Sequence, residues 1–320
     1  MKDLIDGVKK GDRRAVARAI SMVEDGSGDL PALSAGIFPQ TGHAYTLGLT
    51  GSPGVGKSTL AAALLGLARA RQDTAAVLAI DPSSPHTGGA LLGDRVRMQA
   101  HATDPGVFIR SMATRGHLGG MALAAPEAIR ILDASGKDLV IVETVGVGQA
   151  EVEVAAATDT TLVVVAPGWG DAVQAAKAGI LEVADVFAVN KADRDGVNDA
   201  VRDLNLMLRM GDHGDWVPPV VRTSTVTGEG VDDLWEAIEK HRAHLESTGG
   251  LEARRRARAL GELENMVAAT LRERAAAFLS GGEGADLVDD LVAGKMDPYR
   301  AGATLVDRIT KGTPGAENGA

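Results

Sequence analysis

Apolar positions along this chain fall into short runs separated by stretches of helical spacing. Seven runs read as strands, at 45–50, 75–80, 106–110, 138–143, 160–166, 185–189 and 219–223. Helical patterns fall at 57–71, 120–134, 171–180, 197–210 and 230–245. Strands separated by helix-length segments predict an α/β fold whose mainly parallel sheet is covered by helices on both faces. In such sheets, ligands gather at the carboxyl ends of the strands.

The flanks carry a different pattern. Leu4, Ile5, Val8, Val16, Ala19, Ile20 and Val23 predict one or two amphipathic helices, broken near Gly11-Asp12. The Gly, Ser and Pro between Gly26 and Pro39 read as a linker. After Gly249-Gly250, residues 251–280 form a long amphipathic pattern with charges of both signs, which Gly281-Gly282-Glu283-Gly284 interrupts. Shorter helical stretches follow at 285–294 and 298–310, and the final KGTPGAENGA reads as disordered. The predicted organisation is a helical extension and linker (1–40), an α/β domain (41–248), a helical region (249–312) and a tail (313–320). Helices outside a compact core need a surface for their apolar stripes. A second subunit is the favoured surface, and a helical cap with no partner is the alternative.

Composition changes little in this picture. With 45% hydrophobic and 24% charged residues the chain is ordinary for a soluble protein, and 3% aromatic content predicts an aliphatic core. A net charge of −10 argues against sequence-independent nucleic-acid binding. No run approaches about 18 apolar residues, and the opening residues lack the apolar stretch of a signal peptide. The expectation is a cytoplasmic protein that binds neither nucleic acid nor membrane. With no Cys, disulfides, thiolate catalysis and Cys-ligated metals are excluded.

The candidate chemistry starts after the first strand. Gly51-Ser52-Pro53-Gly54-Val55-Gly56-Lys57-Ser58 matches G-x-x-x-x-G-K-[ST] at every fixed position, with Thr59 next in the helical pattern that begins at Lys57. Glycines let successive N–H groups converge on phosphate oxygens, and the helix N-terminus adds its positive end. Lys57 is expected on the β- and γ-phosphates and the Ser58 hydroxyl on Mg²⁺. A glycine-rich turn with a surface lysine is the bland alternative, which the flanking strand and helix disfavour.

Asn190-Lys191-Ala192-Asp193 follows an apolar strand, as does the guanine-reading N-K-x-D element of GTP-binding proteins. A carboxylate there accepts from guanine N1–H and the exocyclic amine, a donor pair that adenine lacks. Ser224, Thr225 and Val226 end the next strand, where backbone N–H groups can meet guanine O6. GTPases usually have Ala where Thr225 stands, and a plain turn is the alternative. The run 138–143 ends in Glu143, placed to hold Mg²⁺ through water, where Asp is usual. Gly146 is expected to sense the γ-phosphate through its N–H. Val147 stands where Ras-like enzymes orient water with Gln, and Gln149 comes two positions later, so slow intrinsic hydrolysis is expected. Asp81 ends a strand beside the phosphate loop and suits a Mg²⁺ or water-orienting role. Asp94 fits the same ion or, equally, a helix cap. Arg95, Arg97, Arg110 and Arg115 suit either transition-state charge or ion pairs. His86, His101 and His117 suggest nothing.

In order and spacing, GSPGVGKSTL, DPSSPHTGGALLGDRVRM, FIRSMATRGHLGG, VETVGVGQAEVEVA, NKAD and TSTVTGEGV resemble the methylmalonyl-CoA mutase-associated GTPases of the MeaB/ArgK type. These are relatives of nickel-insertion GTPases. The resemblance runs from about residue 3 to 310. It implies a P-loop GTPase core with an N-terminal helical extension and a C-terminal helical dimerisation arm. It maps Lys57 and Ser58 onto the phosphate-loop pair, and Asp81, Asp94 and Glu143 onto the Mg²⁺ and catalytic carboxylates. Pro85-His86 departs from the family's more usual Thr-Arg, which removes any arginine role at that point. The implied activity is Mg²⁺-dependent GTP hydrolysis by a homodimeric chaperone of an adenosylcobalamin-dependent acyl-CoA mutase, methylmalonyl-CoA mutase foremost. Adenosylcobalamin is implied only through that partner. Three readings compete. A metal-insertion GTPase is opposed by the lack of Cys and the scattered His. A kinase or ATPase of basic amino-acid transport is opposed by N-K-A-D. A non-catalytic scaffold is opposed by the intact Lys57, Ser58 and Glu143.

Overall fold

The computed structural model describes residues 1–82, 101, 103–114, 120–144, 150–168 and 182–311. Within them lie β1 (Tyr45–Thr50), β2 (Ala75–Pro82), β3 (Val107–Thr114), β4 (Leu139–Thr144), β5 (Thr160–Val165), β6 (Val186–Val189) and β7 (Val220–Arg222). They form one seven-stranded sheet in the order β3-β2-β4-β1-β5-β6-β7. Every pairing among the described residues is parallel. All seven strands expected from the apolar runs are present. The helix expected at 171–180 and the tail at 313–320 lie outside the described residues.

The described helices are α1 (Lys2–Lys9), α2 (Arg13–Glu24), α3 (Leu30–Ile37), α4 (Lys57–Ala70), α5 (Gly120–Ala134), α6 (Ala150–Ala157), α7 (Val197–Leu208), α8 (Val231–Thr248), α9 (Gly250–Leu279), α10 (Gly282–Val292) and α11 (Pro298–Lys311). The chain divides into two compact units, Met1–Ala259 and Leu260–Ala320.

In the first unit the inner strands of the sheet are buried on both faces, which is why they are rich in apolar residues. Leu139 and Ile141 of β4 belong to a cluster with Leu60 and Leu64 of α4 and Ile238 of α8. Val140 and Val142, pointing the other way, belong to a cluster with Ile20 of α2 and Ile131 and Leu132 of α5. Successive residues of one strand thus serve two separate cores.

The N-terminal helices are part of this second core. Gly11 takes a φ of +69°, and Asp12 then caps α2, its carboxylate accepting from the N–H of Arg14 (3.0 Å) and Ala15 (2.8 Å). The Gly, Ser and Pro segment expected as a linker is instead partly helical, because α3 occupies Leu30–Ile37. Pro31 sits in the first turn, where its missing N–H does no harm. A Cβ on Gly36 would collide with the Ile5 side chain, so the glycine permits close approach of α1 and α3. Leu33 and Ile37 are fully buried. Leu33→Ala should therefore cost about 2–5 kcal/mol, whereas a linker leucine would cost almost nothing. A urea denaturation midpoint unchanged by the substitution would contradict this packing.

At the amino ends of β5 and β6 two carboxylates are buried. Asp159 accepts from the Thr46 N–H and pairs with Arg255 and Arg258, both at 2.9 Å. Asp185 accepts from the Thr161 N–H and is gripped in a two-point pair by Arg254 at 2.7 and 2.8 Å. Beside them His241 is fully buried, its Nδ1 2.7 Å from Thr160 Oγ1. Burial pulls the His241 pKa down to about 4, against the partial opposition of Asp185. Burial raises the pKa of Asp159, but Arg255 and Arg258 outweigh it and hold the carboxyl below its ordinary value.

Both shifts are depressions, so both contributions to stability are present at neutral pH and are lost as pH falls. The histidine acts first, between its unfolded value of about 6.5 and about 4. The aspartate follows below about 4. Thermal melts from pH 7 to 3 should show two successive declines in stability, and His241→Gln should flatten the first. A flat profile down to pH 4 in the unaltered protein would count against the buried neutral imidazole.

In the second unit, Asp297 caps α11 by accepting from the N–H groups of Tyr299 and Arg300. Leu263, Met266, Val292 and Tyr299 leave much of their apolar surface exposed. Among the described residues, no helix is long and apolar enough to cross a membrane.

Candidate functional site

The phosphate-loop sequence sits where the parallel sheet predicts a ligand. β1 is central, and Gly51 follows its carboxyl end. Gly51 takes a φ of +134°, and a Cβ there would overlap the Val164 carbonyl. Gly56 has a φ of +100° and lies so close to the Asn190 amide that a side chain could not fit. These glycines are needed for close backbone approach as well as for the turn.

Lys57 and Ser58 open α4 and are both buried. The Lys57 ammonium donates to the carbonyls of Gly51 (2.6 Å) and Ser52 (3.0 Å), so it lies back along the loop it is expected to serve. The Ser58 hydroxyl donates to Glu143 Oε1 at 2.6 Å. Glu143 reaches that point because β4 lies directly beside β1, with Glu143 in register with Leu49. Two hard oxygen donors in contact and 5% or less exposed suit Mg²⁺, which takes one or two protein oxygens and fills its remaining sites with phosphate and water. Thr50 and Thr144 end β1 and β4 with buried hydroxyls that have no hydrogen-bond partner among the described residues. They were not among the sequence candidates. The only hint is a polar residue closing each apolar run.

The residues expected to read the base assemble two and three strands away from β1, after β6 and β7. Asn190 follows β6 and is 1% exposed. Its amide donates to the Val55 carbonyl (2.8 Å), and its oxygen accepts from the Thr223 hydroxyl (3.2 Å). Lys191 takes a φ of +60° and donates to the Gly54 carbonyl at 2.6 Å. Both side chains tie this loop to the phosphate loop. Asp193 is exposed, and its Oδ1 accepts from the Ser224 hydroxyl at 2.6 Å. That hydrogen bond holds the carboxyl below its usual pKa, so it is ionised at neutral pH. Thr225 and Val226 lie in the turn after Ser224, which closes with Gly228 N–H on the Ser224 carbonyl.

The remaining candidates divide. Asp81 lies at the carboxyl end of β2, in register with Ala113. Asp94 and Gly146 lie outside the described residues, as do Pro85, His86, Arg95, Arg97, Arg115, His117, Val147 and Gln149. Arg110 of β3 donates to Ser21 Oγ (2.9 Å) and Glu24 (2.5 Å), so it is an ion pair anchoring α2. Residues 51–59, Glu143, Asn190 to Asp193 and Ser224 to Val226 lie at the carboxyl ends of β1, β4, β6 and β7. This end of the sheet brings together a glycine-rich backbone turn, a buried ammonium, two oxygen donors in contact and an ionised carboxylate.

The family model for the methylmalonyl Co-A mutase-associated GTPase MeaB matches residues 16–279. The chain belongs to that family. As a MeaB-family protein it is one of the GTP-hydrolysing P-loop GTPases of the MeaB/ArgK type. A putative GTPase of Pyrococcus horikoshii is 47% identical over 311 residues, covering 96% of this chain and 98% of that one. The mitochondrial methylmalonic aciduria type A homolog of Mus musculus is 31% identical over 325 residues, covering 95% of this chain and 78% of its own length. Among solved structures, a LAO/AO transport system kinase matches with a TM-score of 0.69 at 28% identity over 97% of each chain. Its likeness supports a P-loop fold for this MeaB-family chain, with helical extensions at both ends.

Proposed function

We propose that this MeaB-family GTPase is a cytoplasmic, homodimeric chaperone of an adenosylcobalamin-dependent acyl-CoA mutase, methylmalonyl-CoA mutase foremost. It protects that enzyme and gates loading of its cofactor. The match to a family named for association with that mutase, over residues 16–279, is the observation that carries the reading. Adenosylcobalamin belongs to the partner. The exposed apolar residues of the second unit support a self-association surface there.

In this reading the backbone of residues 51–59 cradles the phosphates. Lys57 exchanges the Gly51 and Ser52 carbonyls for β- and γ-phosphate oxygens. Ser58 and Glu143 would hold Mg²⁺, with Asp81 at the end of β2 and Asp94 contributing as further carboxylates. Bound Mg²⁺ neutralises charge on the transferring phosphoryl group. Gly146 is assigned to sensing whether the γ-phosphate is present, and hydrolysis then alters the partner-binding surface. Asn190 and Lys191 brace the phosphate loop while Asp193, steadied by Ser224, selects guanine.

The test is capture of the mutase encoded in the same genome by the full-length protein, with GDP and with a non-hydrolysable GTP analogue. Nucleotide-dependent retention of the mutase supports the proposal, and absence of retention in both states removes it. The solved neighbour described as a transport kinase favours a second reading, an ATP-using kinase. That reading requires ATP to displace bound GDP as well as GTP does.

A further inference from the structure

A second concavity lies at the opposite pole of the sheet from the nucleotide site. It has a volume of about 670 Å³ and opens beside Asp185, at the amino end of β6, whereas Asn190 to Asp193 follow the carboxyl end of the same strand. The sequence builds it with residues 209–219, a connection between α7 and β7 longer than the roughly 2–6 residues usual in α/β units. This loop is held in place. His213 Nε2 lies 2.7 Å from the Leu208 carbonyl, and the Trp216 indole N–H donates to the Asp185 carbonyl at 2.8 Å. The Trp216 ring is backed by His241 and His244, with centroids 4.9 and 5.1 Å away.

The lining has a definite character. Met207, Met210, Trp216 and Pro218 supply its apolar wall, and methionines adapt readily to varied apolar surfaces. The apolar area continues outside the cavity, where Met210 is 83% exposed, Val217 64% and Leu206 59%. A small molecule would leave that rim uncovered, so the surface fits a polypeptide segment better. Charge then narrows the partner. Glu182 and Asp212 line the opening, and the nearby Arg254 is already held by both oxygens of Asp185. The mouth is left with an excess of negative charge, in a chain of net charge −10.

We propose that this cavity and its rim form a docking site for a basic, amphipathic segment of a partner polypeptide. An apolar side chain of that segment enters against Trp216, and a Lys or Arg lies against Glu182 and Asp212. The site is separate from the nucleotide edge and does not depend on the identity of the mutase partner.

The test uses the full-length protein and a fluorescein-labelled Leu/Lys amphipathic peptide of about four helical turns. A matching peptide with Glu in place of Lys serves as the control, and binding is followed by anisotropy. Saturable binding of the Leu/Lys peptide is expected, about tenfold or more tighter than its Leu/Glu counterpart. Two independent variants, Met210→Ser with Val217→Ser and Glu182→Gln with Asp212→Asn, should each weaken it about tenfold. Thermal melts and GTP hydrolysis should be unchanged in both. Four results would overturn the proposal: no saturable binding; equal binding of the Leu/Glu peptide; affinity unaltered in both variants; or full displacement by arginine amide alone, which would mark a small-molecule site. A lower mass of the Met210→Ser, Val217→Ser protein by light scattering would show that a second copy of this chain occupies the surface, and would overturn it as well.

Discussion

Asp193→Asn should convert the proposed guanine site into one that prefers xanthine. The carboxylate is ionised and oriented by the Ser224 hydroxyl at 2.6 Å. In the proposed complex it accepts from two guanine donors, N1–H and the 2-amino group. An amide keeps one acceptor and presents a donor to the other, so it meets N1–H but opposes the 2-amino group. Xanthine has a carbonyl at that carbon, which matches the amide. Losing one charge-assisted hydrogen bond and adding a donor–donor clash should weaken GDP binding about 10²–10³-fold. The xanthine nucleotide should gain by a similar factor, so the preference inverts by about four orders of magnitude or more. Competition titrations with GDP and XDP measure this directly. Unchanged preference would mean that the base is read elsewhere. Asn190 is a control for the neighbouring position, since its bonds to Val55 and Thr223 give it a bracing role.

The second large effect belongs to Lys57→Ala. The ammonium is buried against the Gly51 and Ser52 carbonyls and is poised to transfer to phosphate oxygens as they arrive. Removing one neutral donor from a site of developing negative charge lowers turnover about 10²–10³-fold. A charged donor acts about twice as strongly in free energy, so a loss on the order of 10⁴–10⁶ in kcat/KM is expected. Single-turnover phosphate release checks it, with circular dichroism to verify the fold. A protein that keeps its full rate without Lys57 would remove the catalytic reading and leave a nucleotide-dependent scaffold.

The strands were legible because burial on both faces leaves few polar positions, and none at all in runs such as 75–80 and 186–189. The phosphate loop was legible because its glycines are irreplaceable where backbone meets backbone, as at Gly51 against Val164. The segment 26–39 misled for the converse reason. Pro31 in a first helical turn and Gly36 at a helix crossing use turn-forming residues for packing, and composition alone cannot separate the two uses. Thr50 and Thr144 went unnoticed because a threonine closing a strand is common, and only burial of its hydroxyl marks it out. The arginines gripping Asp159 and Asp185 were legible only as charges of an amphipathic helix, since their partners lie far away in sequence. The cavity beside Trp216 has no motif at all. It arises from one long connection folding over the start of β6.

Anyone wishing to express a minimal catalytic fragment would cut at Gly249-Gly250, where the composition changes. That cut discards Arg254, Arg255 and Arg258 and leaves two carboxylates sealed in the protein without their counterions. The sheet's electrostatic closure ends about two and a half turns into α9, so an autonomous fragment has to extend past Arg258. Deletions meant to remove only the C-terminal helices would otherwise register as lost activity, when what they removed is the pairing that keeps the sheet folded.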